Sequence, residues 1–144
     1  MIKLGFSTNP EDGWPPFEVE HIWLELISGG GYIVHNTPFY IYGMCFGDEI
    51  EVISRDGLYV DSWSIVKESR NSTIWVMELK SGAFKSHLKR IAALGVMVDQ
   101  GVPDGYYAVM IPENVSLRGF EEIVRQDVEE KSISVAYVTV RHLD

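Results

Sequence analysis

Two rhythms of apolar and polar positions divide the chain. From Phe17 to Ile27 the residues read as one long extended segment. Phe17 and Val19 alternate against Glu18 and Glu20, after which Ile22, Leu24 and Leu26 hold the even positions. Successive side chains of a strand point to opposite faces, so this change of phase predicts a bulge or bend near His21. Gly29-Gly30-Gly31 predicts a turn, and Tyr32 to His35 a return strand that ends at Asn36-Thr37-Pro38. Glu49 to Ser54 and Leu58 to Lys67, joined through Asp56-Gly57, predict a further hairpin. Trp23 is expected in the core of this half. Four or five short curved strands in so few residues predict a small bent barrel.

Beyond residue 71 strands alternate with helices. Ser72 to Leu79 reads as a strand. A helix is predicted over Ala83–Leu94, with Phe84, Leu88 and Ile91 on one stripe and Gly95 as its stop. Val96 to Val98 and Tyr106 to Ile111 are strands. Ser116 is a good N-cap for a second helix striped by Leu117, Phe120, Val124 and Val128. Ser134 to Val140 is a β-branched closing strand. The order β-α-β-β-α-β predicts a ferredoxin-like sandwich with both helices on one face of an antiparallel sheet. The expected fold is therefore α+β: a small bent β-barrel (residues 1–70) followed by a ferredoxin-like sandwich (71–144). The boundary is expected in Glu68-Ser69-Arg70-Asn71, with the halves packed as one compact unit.

Composition narrows the class. Of 144 residues, 46% are apolar and 23% charged, enough for a core and too hydrophobic for intrinsic disorder. The N-terminal stretch is too short and too acidic for a signal peptide, and no apolar run approaches the ~20 residues that span a bilayer. A soluble, cytoplasmic protein with no membrane partner is expected. The net charge of -9 is uneven, because residues 1–71 hold four basic side chains against eleven acidic ones. Such a surface repels phosphate backbones, which disfavours nucleic acid and favours a cation or a basic protein.

Reactive motifs are missing. Cys45, the single cysteine, sits in the apolar triplet Met44-Cys45-Phe46 with no basic neighbour in sequence to lower its pKa. His21, His35, His87 and His142 stand apart, without His-x-x-x-His or Cys-x-x-Cys spacing, so neither metal nor cofactor is expected. No serine lies in a nucleophile elbow, and Gly29-Gly30-Gly31 lacks the helix and lysine of a phosphate loop.

Several spaced motifs in residues 13–76 resemble a family. These are Pro15-Pro16-Phe17, Glu20-His21-Ile22-Trp23, Asn36-Thr37-Pro38-Phe39-Tyr40, Gly47-Asp48 and Ser72-Thr73-Ile74. Together they resemble an uncharacterised family of bacterial proteins labelled only as a domain of unknown function. Ser69-Arg70 and Trp75 depart from its pattern, which argues against anion binding by that segment. The resemblance implies a fold class and a bacterial origin, and no activity.

The candidate binding residues are Trp14, Glu18, Glu20, Asn36, Tyr40, Asp48, Glu49 and Glu51. Glu49 and Glu51 share one face of a strand, with Ile50 and Val52 on the other. Glu18 and Glu20 share a face of their own strand close to Trp14, which suggests a carboxylate rim around an aromatic anchor. For Glu20, Asn36 and Asp48 the preferred reading is nevertheless the tying of loops and turns through backbone N–H groups. The leading expectation is a non-catalytic binding protein, of the immunity or antitoxin type, that neutralises a basic effector. The alternatives are a small-molecule sensor with its ligand between the two halves, and an enzyme using Glu20 or Asp48 as acid–base.

Overall fold

The structure is a computed structural model that describes all residues, 1–144. The chain divides into two compact units, Met1–Ser69 and Arg70–Asp144. No helix is long and apolar enough to cross a membrane.

The first unit is a five-stranded antiparallel sheet in chain order: β1 (Ile2–Ser7), β2 (Val19–Leu26), β3 (Tyr32–Val34), β4 (Glu49–Ile53) and β5 (Ser62–Lys67). One face carries the apolar residues Leu4, Phe6, Ile22, Leu24, Val34 and Ile50, which pack with Ile41 and Met44 from the long β3–β4 connection. The β2–β3 turn works because Gly29 and Gly30 adopt φ values of +99° and +96°, which side chains with a Cβ resist. Beyond β3 the pairing continues through His35 N–H to the Trp23 carbonyl, at 2.9 Å.

Two expectations are corrected here. No bulge occurs at His21: β1 and β2 pair without interruption from Ile2↔Leu24 to Ser7↔Val19. The phase break arises because Glu20, a polar residue, occupies an inward position in register with Ile22 and Leu24, and is itself buried. Odd positions then face outward, so Trp23 is 44% exposed and lies outside the core.

The sheet does not close into a barrel either. Closure requires hydrogen bonding on both edges of every strand. Here β1 meets the far end of the sheet at one residue, where Gly5 bonds to Leu58 O and to Val60 N–H ahead of β5.

The second unit contains β6 (Ser72–Glu78), a 3-10 turn (Lys85–His87) running into α1 (Leu88–Ala93), β7 (Met97–Gln100), β8 (Tyr106–Ile111), α2 (Leu117–Glu129) and β9 (Ile133–Thr139). The strands form an antiparallel sheet in the order β7-β8-β6-β9. Phe84 and Ile91, with Leu117, Phe120 and Val124 of α2, pack on Ile74, Val76, Tyr107, Val109 and Ile133 as the core of this unit. Ser116 caps α2 as expected, its Oγ accepting from Gly119 N–H at 3.4 Å. The first helix is shorter than its pattern predicts. Gly82 turns the chain with φ +81°, and the Glu78 carboxylate at the end of β6 accepts from the N–H groups of Phe84 and Lys85. Those contacts hold residues 82–87 in turns, and α1 begins only at Leu88.

The expected combination of a small barrel and a ferredoxin-like sandwich thus gives way to two open antiparallel sheets. Nine strands dominate, and the two helices have 6 and 13 residues.

Candidate functional site

Strand alternation in the first unit leaves the outer face of the sheet to the odd residues of β1 and β2. Lys3 lies opposite Trp23, and its ammonium sits 5.0 Å from the centre of the indole ring, a cation–π contact. Glu25 lies opposite Ile33, and its carboxylate meets His35 Nε2 at 2.8 Å. Glu49 lies between Ile33 on β3 and Lys67 on β5, and Glu51 opposite Ser64. Ile50, between the two glutamates, is fully buried, so the expected division of β4 into a carboxylate face and an apolar face is what the chain forms.

Tyr59 completes this face at its β1 end. Asp56 accepts from Tyr59 N–H at 2.9 Å and Leu58 N–H at 2.8 Å, which holds its carboxyl below the usual carboxylate range. Asp61 accepts from the Arg55 guanidinium and backbone N–H, with the same effect on its own pKa. The turn so built lays the Tyr59 ring over Gly5: a Cβ at that glycine would stand 2.8 Å from Tyr59 Cδ1. The ring also contacts His21, with centroids 6.3 Å apart. Trp23 and Tyr59 are both large, partly exposed aromatics on a hydrogen-bonded scaffold.

The residues singled out in the sequence are divided among different places. Glu20 points inward, and its oxygens accept from Phe39 N–H at 2.7 Å and Tyr40 N–H at 2.9 Å. Burial raises its pKa above the ordinary value, while those N–H groups and that of Ile41 pull it down. Asp48 is fully buried and accepts from Cys45 N–H at 2.9 Å and Ser69 N–H at 2.8 Å. Asn36 Oδ1 accepts from Trp23 N–H at 2.7 Å, which fixes the backbone that carries the indole.

Tyr40 is buried and gathers Trp14, Phe17 and Phe39 around it, with centroids 5.9 to 6.2 Å away. Glu18, one residue before β2, is exposed, and its carbonyl accepts from Thr8 N–H. Trp14 and Tyr40 therefore come together, as do Glu49 and Glu51. Glu20 lies on the opposite face of the sheet from Glu49 and Glu51, so no single carboxylate rim encircles Trp14.

Sequence reasoning missed Trp23, Tyr59, His21, Glu25 and His35 as neighbours. The even-numbered apolar series Ile22, Leu24, Leu26 contained the information, because it sends His21, Trp23 and Glu25 outward together. No three His, Cys, Asp or Glu side chains converge to hold a metal.

In sequence, no curated protein matches the chain. In structure, it resembles a hypothetical protein from Neisseria gonorrhoeae, with a TM-score of 0.75 over 96% of this chain and 94% of that one. Sequence identity is 16%, so this likeness concerns the fold. A family model, described as a domain of unknown function (DUF4265), matches residues 20–135. The chain belongs to that family of uncharacterised proteins.

Proposed function

We propose that this chain is a non-catalytic, cytoplasmic binding protein that takes a basic protein partner on the outer face of its five-stranded sheet. The role fits the immunity or antitoxin type, in which a cationic effector is covered and silenced. One observation carries the reading: Trp23 stands exposed on the sheet face that also presents Glu25, Glu49 and Glu51. Tryptophan supplies large contact area at low entropic cost and dominates interface energetics, and carboxylates on the same face favour lysine and arginine. Lys3 and Lys67 are the cations of this face, and both lie on the outermost strands.

The chemistry of the other acids supports a binding role. The carboxylates of Glu20 and Asp48 are engaged by backbone N–H groups, which suits fastening of loops better than proton transfer to a substrate. The acidic excess of residues 1–71 adds long-range attraction for a basic partner, which raises association rates more than final affinity.

The test is affinity capture from a bacterial lysate at low salt, with the parent, Trp23→Ala and the double variant Glu49→Lys/Glu51→Lys. A basic protein recovered by the parent and lost with both variants supports the proposal. Equal recovery by all three removes this face from the explanation. Recovery of no protein contradicts it and favours a small ligand.

A further inference from the structure

A second surface lies in the other unit and is independent of the sheet face described above. The four-stranded sheet has two edges, β7 and β9. An edge strand presents unpaired N–H and C=O groups, and proteins usually blunt it with charge, proline or brevity. The β7 edge follows that practice: it has four residues, includes Asp99, and is followed closely by Pro103. The β9 edge is less protected. Its seven residues, Ile-Ser-Val-Ala-Tyr-Val-Thr, carry no charge and no proline, and Ser134, Ala136 and Tyr137 are exposed. Its ladder to β6 is regular from Ile133 to Tyr137, and the one irregularity, at Val138, lies towards its end.

Helix α2 runs beside this edge and leaves a groove of about 350 Å³ between them, floored by Val124, Val128 and Tyr137. The Tyr137 hydroxyl donates to Glu121 at 2.9 Å, which sets the middle of α2 level with the middle of β9. Arg118, Arg125 and Glu129 line the groove with Glu121, whose carboxylate is taken by Tyr137. With Glu122, the first three also form a stripe at helical spacing on which charge alternates: Arg118, Glu122, Arg125, Glu129. All four side chains are exposed.

That order is its own complement. When two copies of a helix lie antiparallel about a two-fold axis, the paired residue numbers have a constant sum. An axis between Ile123 and Val124 brings Arg118 against Glu129 and Glu122 against Arg125, and symmetry repeats each pair. Every meeting is between opposite charges, and Arg125 already pairs with Glu122 within one chain. We propose that the chain forms a two-fold homodimer in which β9 pairs antiparallel with β9 of a second copy and the two α2 helices lie side by side. Isologous contact of this kind closes on itself, and the two sheets become one of eight strands.

Sedimentation equilibrium of the full chain over a range of concentrations tests this. The parent should show a monomer–dimer equilibrium. Arg118→Glu and Glu129→Arg should each weaken association about tenfold, because each turns two attractive pairs into repulsive ones. The double variant Arg118→Glu/Glu129→Arg restores opposite charges across the axis and should return close to the parental constant. Ala136→Lys should weaken association by charging the edge. Circular dichroism melts confirm that these exposed substitutions leave the fold intact. A parent that stays monomeric at every concentration overturns the proposal and leaves the edge to an extended segment of a different protein. A dimer indifferent to the single reversals, or a double variant no better than the singles, overturns it as well.

Discussion

The Lys3 ammonium rests 5.0 Å from the centre of the Trp23 ring, directly across the β1–β2 ladder. The lysine occupies the electron-rich face that a cation from a partner would use. Lys3→Ala should therefore strengthen capture of a basic protein by a few-fold, since it removes both a competing cation and a repulsive charge. Parallel titrations of parent and variant with the captured partner check this, and weaker binding by Lys3→Ala counts against the assignment.

Trp23 is a surface residue in energetic terms. Trp23→Ala should cost about 1 kcal/mol of stability through lost partial burial and the lost cation–π contact. Ile22→Ala, one residue away and fully buried, should cost about 3 kcal/mol because it opens a cavity. Urea denaturation of both variants measures the contrast. Equal losses would mean that the indole is packed as core.

The Glu20 carboxylate is a structural fastener for the loop that carries Phe39 and Tyr40. Glu20→Ala leaves those backbone N–H groups without their acceptor in a buried place, and should destabilise the fold by roughly 3 kcal/mol. Chemical denaturation gives the number, and hydrogen exchange should show faster amides at Phe39 and Tyr40. A variant as stable as the parent would refute the fastening role.

At Gly5 an added Cβ would press on both Tyr59 and Val19, each at 2.8 Å. Gly5→Ala should cost about 1 kcal/mol, a small loss because the exposed Tyr59 ring can swing away. The more specific readout is the nuclear Overhauser contact between His21 and Tyr59, which should disappear. Its survival would show that Tyr59 does not depend on the bare glycine.

The Tyr137 phenol titrates late. Partial burial first, and then its hydrogen bond to Glu121, push its pKa up to about 12. The folded chain therefore holds this proton to higher pH than the unfolded chain does. The resulting contribution to stability is intact below the ordinary tyrosine value near 10 and is lost as pH rises through about 12. Ultraviolet difference titration of the parent against Tyr137→Phe isolates this phenol, and ionisation near pH 10 would contradict the geometry.

The parts of the fold legible in sequence were those with one dominant local cause. Gly29-Gly30-Gly31 dictated a turn, Ser116 a helix start, Gly95 a helix stop, and Ile50 with Val52 the inward side of β4. The misreadings arose where a polar residue took an inward position for a distant partner. Glu20 satisfies backbone amides nineteen to twenty residues away, so in the linear pattern it resembles a phase slip. The expectation that Trp23 lies in the core went against the even-numbered series Ile22, Leu24 and Leu26, which sends Trp23 outward. Glu78 had the same effect on α1, because its carboxylate holds residues 84 and 85 in a turn where the apolar stripe predicts helix. Barrel closure depended on whether β1 and β5 would meet, and no local pattern records that.

The association rate of the captured partner, measured at low and high salt, tests the binding face most directly. Charged faces steer encounter over distances that salt shortens, so the parent should associate at least tenfold faster at low salt than at high salt. Glu49→Lys/Glu51→Lys should slow the low-salt rate and flatten the dependence, with stability lowered by about 1 kcal/mol at most, since Lys67 lies opposite position 49. Equal rates for parent and double variant at both salts would contradict the claim that the outer face of the five-stranded sheet receives a basic protein.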